Sequence, residues 1–234
     1  MNVMKAFIAH DSVCLDIGAN IGAMTLVMSD LAPRGEVFAF EPSSRNATFL
    51  RENLARNNAS NVAVFQKALF DRTSHIELFY VDELAACSFL DAGDRTGLDK
   101  IKTVVSQEWV QHLELHCERE KVECVRLDDW AAAIPLRRLD FIKLDAEGAE
   151  TQVIKGGVQT LMRLHPKLVT EFNPPCMIQY FDAQPQQYYT LLTTIYPRLM
   201  LIESTGELSP IPNYEWLNRR IETGKGWEDL LCSF

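Results

Sequence analysis

The stretch VCLDIGANIG, residues 13–22, decides the fold of this 234-residue chain. Its first half, Val13–Ile17, is apolar except for Asp16 and has a β-branched residue at each end, as is typical of a buried strand. The small residues that follow form a turn, and a segment with apolar residues at helical spacing begins directly after it. A strand that leads into a helix through small residues lets the backbone approach a ligand at the partly positive helix N-terminus. The stretch therefore predicts a nucleotide-binding turn at the start of an α/β sheet.

Outward from this turn, short apolar runs alternate with segments of helical period. The runs predicted as strands are residues 13–17, 37–40, 62–65, 76–81, 122–127, 139–144, 168–172, 199–202 and 230–234, of which 76–81 is expected as an edge strand or extension. The segments predicted as helices are residues 20–31, 42–58, 149–164 and 185–196, the third interrupted by Gly156 and Gly157. This alternation predicts a parallel sheet with helices on both faces.

Residues 82–121 break this alternation. They contain loop signals around Gly93 and Gly97 and a helix-like stretch over residues 107–120, and they hold nine acidic and five basic residues. No internal repeat or linker separates them from the rest of the chain. We therefore expect one domain over residues 1–234, with an insert at about 82–121 close to the site where the substrate binds.

The composition excludes several classes of protein. The net charge of −9 argues against binding to nucleic acid or to an anionic membrane surface by bulk electrostatics. The six cysteines form no Cys-x-x-Cys pair, and we expect them to be buried thiols. The chain shows neither a signal peptide nor an apolar run that could span a bilayer. A cytoplasmic location follows by elimination, and nothing in the sequence indicates the oligomeric state.

The cofactor is predicted from the residues around the turn. Glu41 follows the second strand, where its carboxylate can accept hydrogen bonds from ribose hydroxyls. A dinucleotide fingerprint needs glycine where Asn20 and Ala23 stand, and Asp16 would place a negative charge near the pyrophosphate. An acid at that position suits the cationic amino-acid end of S-adenosylmethionine instead. A turn-capping role for Asp16 and a non-catalytic, dinucleotide-binding Rossmann module are the alternatives.

Four stretches in this order then identify a resemblance. They are LDIGANIG (15–22), VFAFEP (37–42), LDDW (127–130) and IKLDAEGAE (142–150), the last followed by VIKGG (153–157). With these motifs the chain resembles the FkbM-type S-adenosylmethionine-dependent methyltransferases. The resemblance implies a Rossmann-like, doubly wound, mostly parallel seven-stranded sheet, and O-methylation of a hydroxyl on a small molecule, natural product or saccharide. The predicted cofactor-binding residues are Asp16, Gly18, Ala19, Asn20, Gly22, Glu41, Lys67 and Ala68.

The catalytic residues are predicted at the ends of neighbouring strands. Asp145 follows the strand 139–144 and is the expected catalytic acid or base, with Glu147 beside it, although Glu147 and Glu150 could instead cap the following helix. His112 is a further candidate base if its segment folds over the cleft. Asp145, Glu171 and Asn173 offer oxygen ligands that would suit Mg²⁺.

The stretch Asn173-Pro174-Pro175 leaves a second activity open. It is similar to a motif of amino-group methyltransferases, which would suggest N-methylation of a nucleic acid or another amine. We interpret it instead as a rigid turn that lines the acceptor pocket.

Overall fold

A computed structural model describes residues 2–81, 88–91 and 117–234 of the chain. Twelve strands lie in this part of the chain: β1 (Val13–Ile17), β2 (Glu36–Phe40), β3 (Val62–Phe65), β4 (Ala68–Leu69), β5 (Ser74–Val81), β6 (Ser88–Asp91), β7 (Cys117–Val125), β8 (Phe141–Leu144), β9 (Lys167–Phe172), β10 (Arg198–Ile202), β11 (Leu208–Pro210) and β12 (Glu228–Ser233). Eight helices accompany them: α1 (Asn2–Phe7), α2 (Ala23–Leu31), α3 (Ser44–Arg56), α4 (Leu127–Ala133), α5 (Glu150–Leu164), α6 (Pro174–Phe181), α7 (Pro185–Ile195) and α8 (Tyr214–Thr223).

The main sheet has the strand order β11-β10-β12-β9-β8-β1-β2-β3. The five strands from β9 to β3 run parallel, and β12 is antiparallel to both β9 and β10. The Rossmann-like, mostly parallel sheet is confirmed. The predicted count of seven strands is wrong by one, because the three-residue strand β11 pairs antiparallel with β10 and adds an edge strand.

Helices cover both faces of this sheet. Cys14 and Phe141 pack with residues of α1 and α2 on one face, and Leu15 and Ile142 pack with α4, α5 and α7 on the other. Successive side chains of a strand point to opposite faces, so a strand that is buried on both is expected to be largely apolar. The central strands β1 and β8 follow this rule except at Asp16 and Lys143.

A second sheet, of order β4-β7-β5-β6, corrects two predictions. The strand predicted at 76–81 is neither an edge strand nor an extension, since β5 lies between β6 and β7 and is antiparallel to both. The strand predicted at 122–127 is β7, which ends at Val125 and belongs to this sheet instead of the parallel one. Alternating polar residues allow these strands to form a sheet that is exposed on one side.

Part of the insert predicted at 82–121 belongs to the same sheet. Residues 88–91 form β6, and residues 117–120, predicted as the end of a helix, lie in β7. The remainder of the predicted helix, residues 107–116, lies outside the described residues. Asp128 and Asp129 of the LDDW motif lie in the first turn of α4, where negative charge stabilises a helix.

The two glycines expected to interrupt a helix do not interrupt it. Gly156 and Gly157 are buried inside the continuous helix α5. A β-carbon on Gly156 would collide with the backbone carbonyl of Phe70, and one on Gly157 would meet the side chain of Leu127 at 2.7 Å. The glycines therefore allow close packing of α5 and do not end it.

The stretch Asn173-Pro174-Pro175 begins helix α6, so the rigid turn predicted there is wrong. The Asn173 side chain accepts a hydrogen bond from the backbone amide of Cys176 and caps the helix. Proline is favoured in the first helical turn, because the amide that it lacks has no partner within the helix. None of the helices in the described ranges has the length and apolar character needed to cross a membrane.

Candidate functional site

A cavity of about 260 Å³ opens at the carboxyl ends of β1, β2 and β8. Eight of the predicted site residues line it: Gly18, Ala19, Asn20, Glu41, Lys67, Ala68, Asp145 and Glu147. Apolar side chains such as Met24, Phe40 and Leu78 form much of the remaining wall. In open α/β sheets ligands bind at the carboxyl ends of the strands, so the position suits a ligand site.

The turn after β1 brings the backbone to the cavity wall. The amides of Gly18 and Ala19 both donate to the carbonyl oxygen of Phe40, at 3.0 Å each. Gly18 has φ +75°, and a β-carbon there would collide with the carbonyl oxygen of Asp145. Only glycine fits this position, and its small size leaves the turn close to both β2 and β8.

Gly22 does not line the cavity. It precedes α2 with φ +94°, and a β-carbon there would collide with the side chain of Leu50. Its glycine is explained by backbone conformation and packing, and its predicted contact with a cofactor stays a prediction.

Glu41 is fixed by the two turns that surround it. It is 3% exposed; its Oε2 accepts from the amide of Asn20 at 2.8 Å, and its Oε1 accepts from the amide of Ser43 at 3.0 Å and from Asn46 Nδ2 at 3.4 Å. Burial raises the pKa of Glu41, while these hydrogen bonds oppose the rise. The carboxylate is therefore held rigidly at the cavity wall.

Asp16 is fully buried and does not line the cavity. Its Oδ2 accepts a hydrogen bond from the hydroxyl of Thr25 at 2.5 Å. Its Oδ1 has no hydrogen-bond partner among the described residues, and the nearest cation is Lys143 Nζ at 3.9 Å. A direct contact between Asp16 and a cofactor, predicted from the sequence, stays a prediction.

Lys143 lines the cavity and was missed by the sequence analysis. Its ammonium lies 3.0 Å from Asp145 Oδ2 and donates to the carbonyl oxygen of Gly18 at 3.3 Å. Although burial lowers the pKa of Lys143, Asp16 and Asp145 outweigh that effect and raise it. The signal in the sequence was a lysine inside the apolar strand FIKL, residues 141–144.

Asp145 and Glu147 lie together at the end of β8. The side chain of Asp145 is 40% exposed, and both residues line the cavity. Glu147 has φ +52°. Burial raises the pKa of Glu147 to about 8, with a further contribution from Asp145 and Glu171. The site thus combines one accessible carboxylate with a second carboxyl group that holds its proton near neutral pH.

Glu150 organises the loop that carries these two acids. Its Oε1 accepts from the amides of Ala146 at 2.8 Å and Gly148 at 3.2 Å. Glu147 and Glu150 were both named as possible caps of the following helix, and it is Glu150 that accepts from these amides just before α5. Burial raises the pKa of Glu150 to about 7, although these amides oppose the rise.

The second sheet closes one side of the cavity through Ala68 and Leu78. Lys67 Nζ pairs with Glu123 Oε1 of β7 at 2.7 Å. Glu120, also of β7, accepts from the amide and hydroxyl of Ser44 at 2.9 and 3.0 Å. The contact of Glu120 joins the second sheet to the N-terminus of α3, directly after the turn that holds Glu41.

The predicted Mg²⁺ ligands do not form a site that fits the ion. Asn173 Nδ2 donates to Glu171 Oε2 at 3.0 Å, its Oδ1 caps α6, and the Lys143 ammonium adjoins Asp145. Among the described residues, no group of three or more His, Cys, Asp or Glu side chains could hold a metal. His112 lies outside the described residues, so its role as a base stays a prediction.

Residues 16–188 match the model of the methyltransferase FkbM domain, which covers most of the chain. The chain belongs to the FkbM methyltransferase family. The resemblance expected from the four motifs is therefore confirmed.

Two curated relatives agree with this family. "Methyltransferase 1" of Beauveria bassiana is 31% identical over 147 residues, which are 62% of this chain and 58% of the relative. "2-O-methyltransferase NoeI" of Sinorhizobium fredii is 32% identical over 154 residues, 65% of this chain and 60% of the relative. The chain thus aligns with about three fifths of the length of each.

Two solved structures share the fold of this chain. An FkbM methyltransferase from Methylobacillus flagellatus superimposes with a TM-score of 0.53 at 17% identity, over 97% of this chain and 44% of the other. A SAM-dependent methyltransferase from Aquifex aeolicus superimposes with a TM-score of 0.50 at 12% identity, over 98% of this chain and 86% of the other. At such identities the likeness establishes the fold alone.

Proposed function

We propose that the protein is an S-adenosylmethionine-dependent O-methyltransferase that acts on a hydroxyl of a small molecule or saccharide. The observation that carries the proposal is one cavity in which the Gly18 turn, buried Glu41 and strand-end Asp145 meet. The Gly18 turn and Glu41 suit an adenosine with free ribose hydroxyls, and Asp145 is placed to accept a proton.

The residues present fit the proposed methyl donor. Glu41 keeps an acceptor-only carboxylate at the cavity wall for the ribose, and the missing β-carbon of Gly18 lets the turn lie against the backbone of Asp145 at the same wall. Asn20 stands where a dinucleotide fingerprint needs glycine, with φ +49°. Lys67, Ala68 and Leu78 would border the base.

The chemistry assigned to the protein is positioning and proton removal. When bound, S-adenosylmethionine supplies a methyl group on a cationic sulfur that departs with the electron pair of the broken carbon–sulfur bond. Asp145, at the cavity rim, accepts the proton of the attacking hydroxyl on a carboxylate oxygen. Lys143 holds that carboxylate in place, and Glu150 fixes the loop on which it stands. No step needs a metal.

The surroundings of Asp145 support a neutral or cationic acceptor in preference to a phosphorylated one. Asp145 lies close enough to Glu147 and Glu171 to add to the rise that burial causes in the pKa of both, and Asp229 on β12 pairs in register with Glu171. A phosphate at this edge would meet several carboxylates. We propose that the predicted insert at 82–121 completes the acceptor site, that residues 1–234 form one domain, and that neither nucleic acid nor membrane is a partner.

An amine acceptor is the second candidate, because the same carboxylates would attract a cationic amine. Methylation of a nucleic acid was suggested by Asn173-Pro174-Pro175. These residues cap and begin α6, so the motif no longer supports that activity. Methyl transfer to a hydroxyl is preferred because Asp145 can act as the base that removes the hydroxyl proton. The name of the relative NoeI, a 2-O-methyltransferase, agrees with that preference.

A methyl-transfer screen separates these candidates. Purified protein would be incubated with radiolabelled methyl donor and matched sets of saccharides, polyketide alcohols, amines and RNA, with and without EDTA. We expect labelled products only among the hydroxyl compounds, unaffected by EDTA, and loss of turnover in Asp145→Asn with donor binding retained. Labelled amines would favour the second candidate, and full activity of Asp145→Asn would refute the role of that residue.

We also propose a cytoplasmic location. The thiols of Cys14, Cys124 and Cys232 are buried and unpaired, and burial raises the pKa of Cys14 and of Cys124 to about 12. Unreactive free thiols are typical of proteins in a reducing compartment. Fractionation of the native host, with detection by antibody, would test this location.

A further inference from the structure

Lys143 is a charged side chain in a strand that is otherwise buried. Phe141, Ile142 and Leu144 are each at most 1% exposed, and the side chain of Lys143 is 14% exposed. Burying an ammonium group costs several kcal/mol unless carboxylates or carbonyl oxygens replace its water. A lysine of this kind therefore depends on the oxygens around it.

Three oxygens surround the Lys143 ammonium, and they come from three different parts of the site. Asp145 Oδ2 lies at 3.0 Å, the carbonyl oxygen of Gly18 at 3.3 Å and Asp16 Oδ1 at 3.9 Å. The oxygens of Asp145 and Gly18 lie within hydrogen-bond distance, whereas Asp16 Oδ1 makes an ion-pair contact only. Asp16 and Lys143 are partners in the β1/β8 register, so the arrangement is set by the parallel pairing of two central strands.

The carboxylates of Asp16 and Asp145 depend on this lysine in turn. Asp16 is fully buried, and its Oδ1 has no hydrogen-bond partner among the described residues. Burial raises the pKa of Asp16, and Lys143 is the strongest influence in the opposite direction. Without Lys143, Asp16 and Asp145 would be two neighbouring carboxylates with Glu171 nearby and no cation between them.

We propose that Lys143 is a positioning residue that couples the donor half of the site to the acceptor half. Its ammonium holds the Gly18 turn and the Asp145 carboxylate in a fixed relation, and Asp16 is its buried counter-ion. The inference rests on the proposed function and deepens it. Asp16, the acid of the LDIGANIG motif, then acts indirectly through Lys143 and not by direct contact with the methyl donor.

The first test compares Lys143→Met with the wild type across pH. Loss of the ammonium raises the pKa of Asp16, so the carboxyl group stays neutral in acid and becomes an uncompensated buried charge as pH rises. We expect S-adenosylhomocysteine to bind the variant about 10-fold or more weakly at about pH 8 and nearly normally at about pH 5.5, with the loss of melting temperature following the same trend. Lys143→Arg should restore much of the affinity, and Lys155→Met, on the exposed face of α5, is the matched control.

A second variant keeps the inference testable if Lys143→Met does not fold. The double variant Lys143→Met/Asp16→Asn removes the counter-ion together with the lysine and keeps an acceptor for Thr25. We expect it to fold and to lose less affinity for S-adenosylhomocysteine at about pH 8 than the losses of the two single variants add up to, because coupled residues show non-additive effects.

The results that overturn the inference differ from those that overturn the function. A pH-independent loss in Lys143→Met, no loss at all, or a double variant as impaired as the sum of its parts would refute the role of Lys143. Failure of the wild type to bind S-adenosylhomocysteine would refute the proposed function. The melting temperatures across pH would still report on the ion pair in that case.

Discussion

At the scale of single residues, Glu41 links local structure to ligand binding. One carboxylate accepts hydrogen bonds from Asn20 in the turn after β1, from Ser43 in the turn after β2 and from Asn46 in the first turn of α3. A charged acceptor with several N–H donors contributes more than a neutral one. Loss of this group would therefore affect both the shape of the cavity and the proposed ribose contact.

We expect Glu41→Ala to lower the affinity for S-adenosylhomocysteine by about 10- to 100-fold, because it removes charged hydrogen bonds worth about 1.5–3 kcal/mol each. Titration calorimetry would measure the change. Glu36→Ala, at the exposed opposite end of the same strand, is the control and should bind as the wild type does. Equal affinity in both variants would contradict the contact between Glu41 and the ligand.

Glu150 predicts a pH dependence of stability. Burial raises its pKa from 4.5 to about 7, so its contribution is complete below about pH 4.5 and is lost as pH rises through about 7. We expect the unfolding free energy of the wild type to fall by about 1–3 kcal/mol more than that of Glu150→Gln between about pH 5 and about pH 8. Glutamine keeps an oxygen for the Ala146 and Gly148 amides. Denaturant titrations would measure both proteins, and parallel pH profiles would argue against a titrating Glu150.

At the scale of elements, helix α5 shows packing that overrides helix propensity. Glycine is unfavourable in a helix interior, and alanine would ordinarily stabilise it by about 1 kcal/mol. Here the backbone of α5 at Gly156 lies so close to Phe70 that a β-carbon cannot be accommodated. Close approach of this helix to the Phe70 backbone, which follows β4, is the reason for the glycine.

We therefore expect Gly156→Ala to destabilise the protein by about 1–3 kcal/mol, the usual cost of overpacking. The control Gln159→Ala, on the exposed side of the same helix, should change stability by less than about 0.5 kcal/mol. Thermal or denaturant unfolding would measure both. A stabilised Gly156→Ala would show that the helix has room to move away from Phe70.

These elements also show what the sequence could and could not predict. β1 and β3 have the predicted bounds, because both are short, mostly apolar runs bounded by polar residues or glycine. The second sheet was not predicted, because β5 and β7 lie far apart in the sequence. Within each strand the only sign of the sheet is the alternation of polar and apolar residues. The cavity residues after β1, β2 and β8 were predicted because strand ends meet at one edge. Lys143 was not, because its role depends on the register between two strands.

At the scale of the whole molecule, the two sheets enclose the cavity between a parallel core and an added wall. Turns of the core supply Glu41 and Asp145, and the second sheet supplies Ala68 and Leu78. A ligand that binds only the folded protein raises its stability by mass action. Donor binding should therefore be visible in the melting temperature of the protein as well as in a titration.

The most direct test of the account is a calorimetric titration of the purified chain with S-adenosylhomocysteine and, separately, with NADH. We expect one site per chain with a dissociation constant of about 1–100 μM for S-adenosylhomocysteine, a matching rise in melting temperature and no heat of binding from NADH. Saturable binding of NADH, with none of S-adenosylhomocysteine at millimolar concentration, would contradict the assignment of the cavity to a methyl donor.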